Sequence, residues 1–152
     1  MDTEGLLKLL KEHKVDFVVI GATAFPVHGY ARATLDIDIF IRPTKTNAER
    51  TWQALESFGY QVVDITTEDL LKKKLLIRQY AVETDIHPFV EGVNFEEVWK
   101  HKVKSTIGNT DVYFASLDDL IKMKRAAGRA KDLEDLKYLK QLKKASRKPR
   151  KR

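Results

Sequence analysis

The sequence predicts an α+β domain in which a small mixed or antiparallel sheet packs on helices. Three observations point there. Leu35, Ile37, Ile39 and Ile41 alternate with Asp36, Asp38 and Phe40, which is the period of a strand with one buried face. Leu6, Leu7, Leu9 and Leu10 fall among Lys8, Lys11 and Glu12 at helical spacing, as do Trp52, Leu55 and Phe58 further on. Gly108-Asn109 separates two strand-like runs by the two residues of a hairpin turn.

The elements follow in order. A first amphipathic helix spans 3–13, with Asp2 or Thr3 as its N-cap. Residues 15–20 form a buried strand that Gly21 ends. Residues 22–28 form a short helix that Gly29 closes, with Pro26 inside it. The strand at 35–41 stops before Pro43. Thr46 or Asn47 caps a helix running to Phe58, and Gly59 terminates it. Residues 60–63 read as a short strand and 67–70 open a short helix. Residues 75–79 and 81–86 are strand-like, and 95–100 give one or two helical turns. The hairpin takes 103–107 and 110–114. Ser116, with an acid three residues later, starts a helix to about Ala127. Gly128 interrupts it, and a last helix covers 131–144, with Leu133, Leu136, Leu139 and Leu142 expected on a core or partner face.

Composition narrows the class. The 152 residues suit one domain, with 43% hydrophobic and 33% charged residues. The absence of cysteine excludes disulfides, thiolate zinc sites and cysteine nucleophiles. No apolar run approaches the roughly 18 residues of a membrane span. Met1-Asp2-Thr3-Glu4 lacks the basic start of a signal peptide, so a cytoplasmic location is expected. The net charge of +6 belongs to residues 143–152, which carry seven positive charges; without them the chain has 21 basic and 22 acidic residues. The expected division is a single domain over 1–142 and a solvated, disordered basic tail over 143–152. The competing reading of the tail is a weak nucleic-acid contact, without aromatics to stack bases.

The chemistry gathers in three segments. Asp36 and Asp38 share the strand face opposite the isoleucines, where two carboxylates repel. A divalent cation offsets that cost, and Mg²⁺ is typically held by one or two carboxylates plus substrate phosphates. Ahead of them, a strand runs into Ile20-Gly21-Ala22-Thr23-Ala24 and a helix, a small-residue turn whose N–H groups suit a phosphate. If the second strand reaches back to Arg32, then Arg32, Thr34, Asp36 and Asp38 line one surface. Further on, Glu83, Asp85 and His87 share a face in 83–87. Plainer readings stand beside these: solvent-facing acids for Asp36 and Asp38, a strand-end acid for Asp85, and packed or surface rings for His28, His87 and His101. For Lys122, Lys131 and Asp132 the plainer reading is a charge-paired helix surface.

A phosphate-cradling turn, an Asp-x-Asp some 15 residues later and a further acid on a later strand resemble the DNA polymerase β-like nucleotidyltransferase superfamily, and within it the minimal, toxin-type enzymes of toxin–antitoxin pairs. Residues 20–24 and 32–38 carry most of the likeness. Leu120-Ile121-Lys122, Gly128-Arg129-Ala130-Lys131-Asp132 and Asp135 resemble the group's C-terminal helices. The resemblance implies an enzyme that moves a nucleoside monophosphate from a nucleoside triphosphate such as ATP to a hydroxyl acceptor. It implies Asp36, Asp38 and Asp85 as catalytic and metal-binding residues for two Mg²⁺, or Mn²⁺ in their place. Asp85 would also help as a base, and Glu83 is its rival as third acid. Gly21, Ala22 and Thr23 would hold phosphate, with Arg32, Lys122 and Lys131 as charge partners for the triphosphate. Ala22 departs from the family turn, which carries glycine or serine there; its N–H survives and Thr23 offers a hydroxyl. The acceptor is open among protein, tRNA and small molecule, and an antitoxin partner is implied for the toxin-type group. Two other readings remain: a catalytically degenerate nucleotide- or partner-binding member of the same fold, and an RNA-binding adaptor that uses the basic tail.

Overall fold

A computed structural model describes residues 2–30, 36–79 and 83–147. Helix α1 (Thr3–Glu12) starts at Asp2, whose side chain accepts from the Gly5 N–H at 2.7 Å, and it buries Leu6, Leu7 and Leu10. Strand β1 (Phe17–Ile20) follows, buried along its whole length. The expected short helix is a 3₁₀ segment, Gly21–His28, closed by Gly29 at φ 98°. Strand β2 (Asp36–Ile41) leads to α2 (Lys45–Phe58).

The N-cap of α2 is Thr44, in place of Thr46 or Asn47. Asn47 has a different task. Buried inside the first turn, it accepts from the Asp16 N–H and donates to the carbonyls of Asp16 and Arg42, which joins the start of β1 to the end of β2. Residues 60–63 are not a strand. The Tyr60 hydroxyl bonds Thr84 Oγ1 at 3.0 Å, and the Trp52 indole donates to the carbonyls of Val62 and Ile65. Side chains therefore satisfy that segment where a ladder was expected. After it come α3 (Thr67–Lys72), β3 (Leu75–Ile77), β4 (Glu83–His87) and α4 (Phe95–His101). The hairpin β5 (Val103–Ile107) and β6 (Thr110–Phe114) precedes α5 (Leu117–Ala127) and α6 (Ala130–Arg147). The last helix is longer than its periodicity indicates: it runs five residues into the basic stretch, where Lys143 pairs with Asp118 at 2.7 Å.

The strands form one mixed sheet in the order β3-β4-β2-β1-β6-β5. β1 lies antiparallel to β2 and parallel to β6, while β2 and β4 are parallel. The two faces differ in what covers them. Ile37 and Ile39 are buried on one face, and Tyr60, just past α2, reaches Thr84 on that same side of β4. On the other face α4 sets Phe95 edge-on to Phe40, with ring centroids 5.2 Å apart. The loop before α4 rests on α5: a Cβ on Gly92 would lie 2.8 Å from the Lys122 carbonyl and from Ala126 Cβ. The acid-bearing ends of β2 and β4 lie on this second face, next to the turn that follows β1.

Candidate active site

The site grows from where β1 ends. Ile20 pairs with Asp38, so the next residue must turn beside that aspartate. Gly21 does so at φ 71°, and a Cβ there would lie 2.5 Å from Asp38 Oδ2. Both its backbone and the nearness of the carboxylate demand glycine. Thr23 Oγ1 donates to the Asp36 carbonyl at 3.1 Å and straps the 3₁₀ segment to β2.

The parallel register then assembles the acids. Asp36 sits across from Glu83, Asp38 from Asp85 and Phe40 from His87. His87 Nε2 lies 2.8 Å from Asp38 Oδ1. One ligand-capable atom from each of Asp38, Asp85 and His87 falls within 4.8 Å of the other two. Asp85 is 6% exposed, so its charge needs partners. Arg78, just beyond β3, donates from Nη1 to Asp85 Oδ1 at 2.7 Å, and Lys74 Nζ stands 3.9 Å from Oδ2. The same guanidinium lies 3.6 Å from Glu83 and 3.9 Å from Asp36. The hydrogen bond between Glu83 and Asp36 raises the Glu83 carboxyl above its ordinary value; desolvation and the Asp36 charge add to this, and Arg78 opposes it. The Arg78 guanidinium is held firmly charged, first by its hydrogen bond to Asp85.

The expected residues are thus distributed unevenly. Asp38 and Asp85 meet. Asp36 occupies the adjoining position on the same face, against Glu83 and Arg78. Gly21, Ala22 and Thr23 border them. Lys122 is drawn to Asp119, 3.9 Å away, and Lys131 is exposed near the start of α6; no described contact links either lysine to the acids. Arg32 lies outside the described residues. Two further residues join the acids: His87, expected as a packed or surface ring, and Arg78, for which no role was expected. His87 continues the parity of Glu83 and Asp85 and was visible in that alternation. Arg78 stands two residues past Leu76, but its role depends on β3 pairing with β4, which no local pattern shows.

The C-terminal helices add one fixed charge cluster. Lys124 reaches Asp132 at 3.1 Å and Asp135 at 3.2 Å, and Arg129 grips Asp132 through Nε at 2.6 Å and Nη2 at 3.2 Å. Burial pushes the Asp132 carboxyl up, but hydrogen bonds from Arg129 and Lys124 outweigh it and hold the carboxyl at about 2. Arg129 is kept charged by Asp132 first and also by the field of Asp38, so the α5–α6 junction lies within electrostatic reach of the acids.

Comparison with known proteins places the chain in a family. Residues 2–146 match the family described as "Nucleotidyltransferase of unknown function (DUF6036)". Among solved structures, a lincosamide antibiotic adenylyltransferase with lincomycin bound is similar at a TM-score of 0.61 and 19% identity, over 93% of this chain and 98% of that one. A Thermotoga maritima protein assigned as a nucleotidyltransferase is similar at a TM-score of 0.57 and 22% identity, over 90% and 89% of the two chains. No curated protein matches the sequence. With the family matched along nearly its whole length and its fold shared by nucleotidyltransferases, the chain belongs to this nucleotidyltransferase family.

Proposed function

We propose that this protein transfers a nucleoside monophosphate from a nucleoside triphosphate to a hydroxyl acceptor, using a divalent cation at the ends of β2 and β4. The observation that carries the reading is the convergence of Asp38, Asp85 and His87 within 4.8 Å beside a turn that only glycine can make. The donor set fits such an ion. Carboxylate oxygens suit Mg²⁺ and Mn²⁺, a nearby imidazole favours Mn²⁺ over Mg²⁺, and Asp36 offers a further oxygen on the same face. When bound, the cation supplies neutralisation of charge on the phosphate oxygens.

The chain's own groups do the rest. Backbone N–H groups of the Gly21-Ala22-Thr23 turn, at the start of the 3₁₀ segment, would donate to phosphate. The Thr23 hydroxyl, occupied as a donor to Asp36, positions the turn. An acceptor hydroxyl attacks the α-phosphorus, the bond to the departing pyrophosphate breaks, and a carboxylate of the Asp36–Asp85 group takes the proton. Ala22 supplies an N–H where the related turns carry glycine or serine, so transfer needs no side chain there.

The acceptor we favour is a small hydroxyl-bearing molecule with an apolar face. Leu76, paired with Asp85, is 55% exposed, so apolar surface lies beside the acids. The adenylyltransferase of the same fold and nearly the same span was solved with the antibiotic lincomycin bound.

The test is incubation with α-labelled triphosphates, Mg²⁺ or Mn²⁺ and pooled acceptors. The expected result is labelled small-molecule product with pyrophosphate release, lost in Asp38→Asn. Label on protein or tRNA would move the chain to the toxin-type reading. Cation-dependent triphosphate binding without any transfer would support the degenerate, binding-only reading instead.

A further inference from the structure

Strand β3 is the edge of the sheet beside the acids, and its role goes beyond closing that edge. Its register sets Leu75 against Ile86, Leu76 against Asp85 and Ile77 against Thr84. The two-residue period then places Lys74, Leu76 and Arg78 on the face of Asp85. The result is a cationic column parallel to an acidic one. Within it Lys74 reaches Asp85 alone, at 3.9 Å, while one Arg78 guanidinium serves Asp85 at 2.7 Å, Glu83 at 3.6 Å and Asp36 at 3.9 Å. These are two of the three expected ion-binding acids together with their rival.

We infer that Arg78 is a triphosphate-binding residue held in reserve by the cation site: it neutralises Asp36 and Asp85 until a divalent ion takes their oxygens, and it then turns to the phosphates of the incoming nucleotide. The inference rests on the nucleotidyl-transfer reading of these acids. Three features support it. Asp85 Oδ1 is engaged by Arg78 at hydrogen-bond distance, so ion and guanidinium compete for the same carboxylate. A guanidinium is a planar fork that matches a carboxylate and a phosphate equally well, so exchange between them needs no new chemistry. The Arg78 side chain is 39% exposed, against 8% for Asp85, so the arginine has an open side toward which it can turn while the aspartate stays fixed.

The competition gives the proposal a signature that a purely structural arginine lacks. Removing the guanidinium strengthens cation binding while weakening triphosphate binding. The experiment titrates Mn²⁺ into the intact protein, with free Mn²⁺ read by electron paramagnetic resonance, with and without an α,β-methylene triphosphate that cannot be transferred. The chains compared are the parent, Arg78→Gln, Arg78→Lys and Asp38→Asn, with thermal unfolding followed in parallel. In Arg78→Gln, Mn²⁺ affinity without nucleotide is expected to rise several-fold, and triphosphate affinity in saturating Mn²⁺ to fall roughly tenfold, the worth of one charge-assisted contact. Arg78→Lys keeps the charge without the fork, so it is expected to hold Mn²⁺ like the parent and the triphosphate less well.

Mn²⁺ binding that depends on Asp38 but is unchanged or weaker in Arg78→Gln overturns the inference and leaves the nucleotidyl-transfer reading intact. Absence of Asp38-dependent Mn²⁺ binding in both the parent and Arg78→Gln overturns that underlying reading instead. If Arg78→Gln is unfolded alone but folds with Mn²⁺, its triphosphate affinity in saturating Mn²⁺ decides: a fall of roughly tenfold supports the inference, and an unchanged affinity overturns it. If it remains unfolded with Mn²⁺, Arg78 is structural and the inference falls.

Discussion

Gly21 shows how one residue can be demanded twice. Its φ of 71° strains any L side chain, and its missing Cβ leaves room for Asp38 Oδ2 at 2.5 Å from where that atom would sit. Gly21→Ala should therefore cost about 1–2 kcal/mol in backbone strain and also push the aspartate out of line. Urea unfolding midpoints measure the first effect, and Mn²⁺ affinity measures the second. Loss of stability with unchanged Mn²⁺ affinity would show that Asp38 adapts. Asn47, 3% exposed with three bonds to the backbone at the start of β1 and the end of β2, should be nearly as intolerant: Asn47→Ala should cost about 1–3 kcal/mol, with the Asp16 N–H left without its acceptor while the carbonyls of Asp16 and Arg42 keep the N–H groups of Arg42 and Thr44. Asp36 and Asp38 were legible as candidate site residues because like charges on one strand face ask for an explanation. Arg78 was not, since a cation two residues beyond a short apolar run has no local peculiarity.

At the scale of elements, α6 separates what periodicity reveals from what it hides. Leucines three residues apart drift steadily around a helix, so four of them cannot all face one way. Leu139 is fully buried and Leu136 7% exposed, while Leu133 is 55% exposed. Leu139→Ala should destabilise by about 2–5 kcal/mol, whereas Leu133→Ala should change stability by less than about 0.5 kcal/mol; chemical denaturation distinguishes the two. The junction of α5 with α6 also carries a pH dependence. The buried Asp132 carboxyl is held at about 2, below its unfolded value of about 3.9. A depressed carboxyl stabilises above the unfolded value, and that contribution is lost as pH falls from about 4 through about 2, on the order of 2 kcal/mol in all. Asp132→Asn should lower stability at neutral pH and flatten the acid limb of the stability curve between those values. An unchanged acid limb would mean that Asp135 or another acid governs it. The capping of α5 by Ser116 and the hairpin turn at Gly108-Asn109 were legible because caps and turns are local. The cap of α2 slipped to Thr44, since Asn47 has the chemistry of a cap but is used to join two strands.

For the whole molecule, the class and most elements could be read from alternation and punctuation, yet the strand order could not. Which strands adjoin is decided by long-range packing, and the order β3-β4-β2-β1-β6-β5 brings the third acid beside the first two across more than 40 residues of chain. The basic tail dominated the net charge of the sequence, but the charge that organises the fold is the acidic group under Arg78 and the Asp132 cluster at the α5–α6 junction. Deleting residues 148–152 should leave both intact, and nucleotidyl transfer by the shortened chain should match that of the full one. A marked fall in transfer would assign the end of the chain to acceptor recognition.

The parallel pairing of β2 with β4 has one further consequence. Asp38 and Asp85 belong to segments that α2, α3 and β3 separate, and they face each other only in the native alignment; a shift of one residue would turn Asp85 to the opposite side of the sheet. A chain in which β2 and β4 are unpaired does not bring the two carboxylates together, so an ion that binds the pair favours the aligned strands, and its binding energy adds to the stability of the fold by mass action. The two carboxylates would then serve, through such an ion, as a check that the sheet has closed in register.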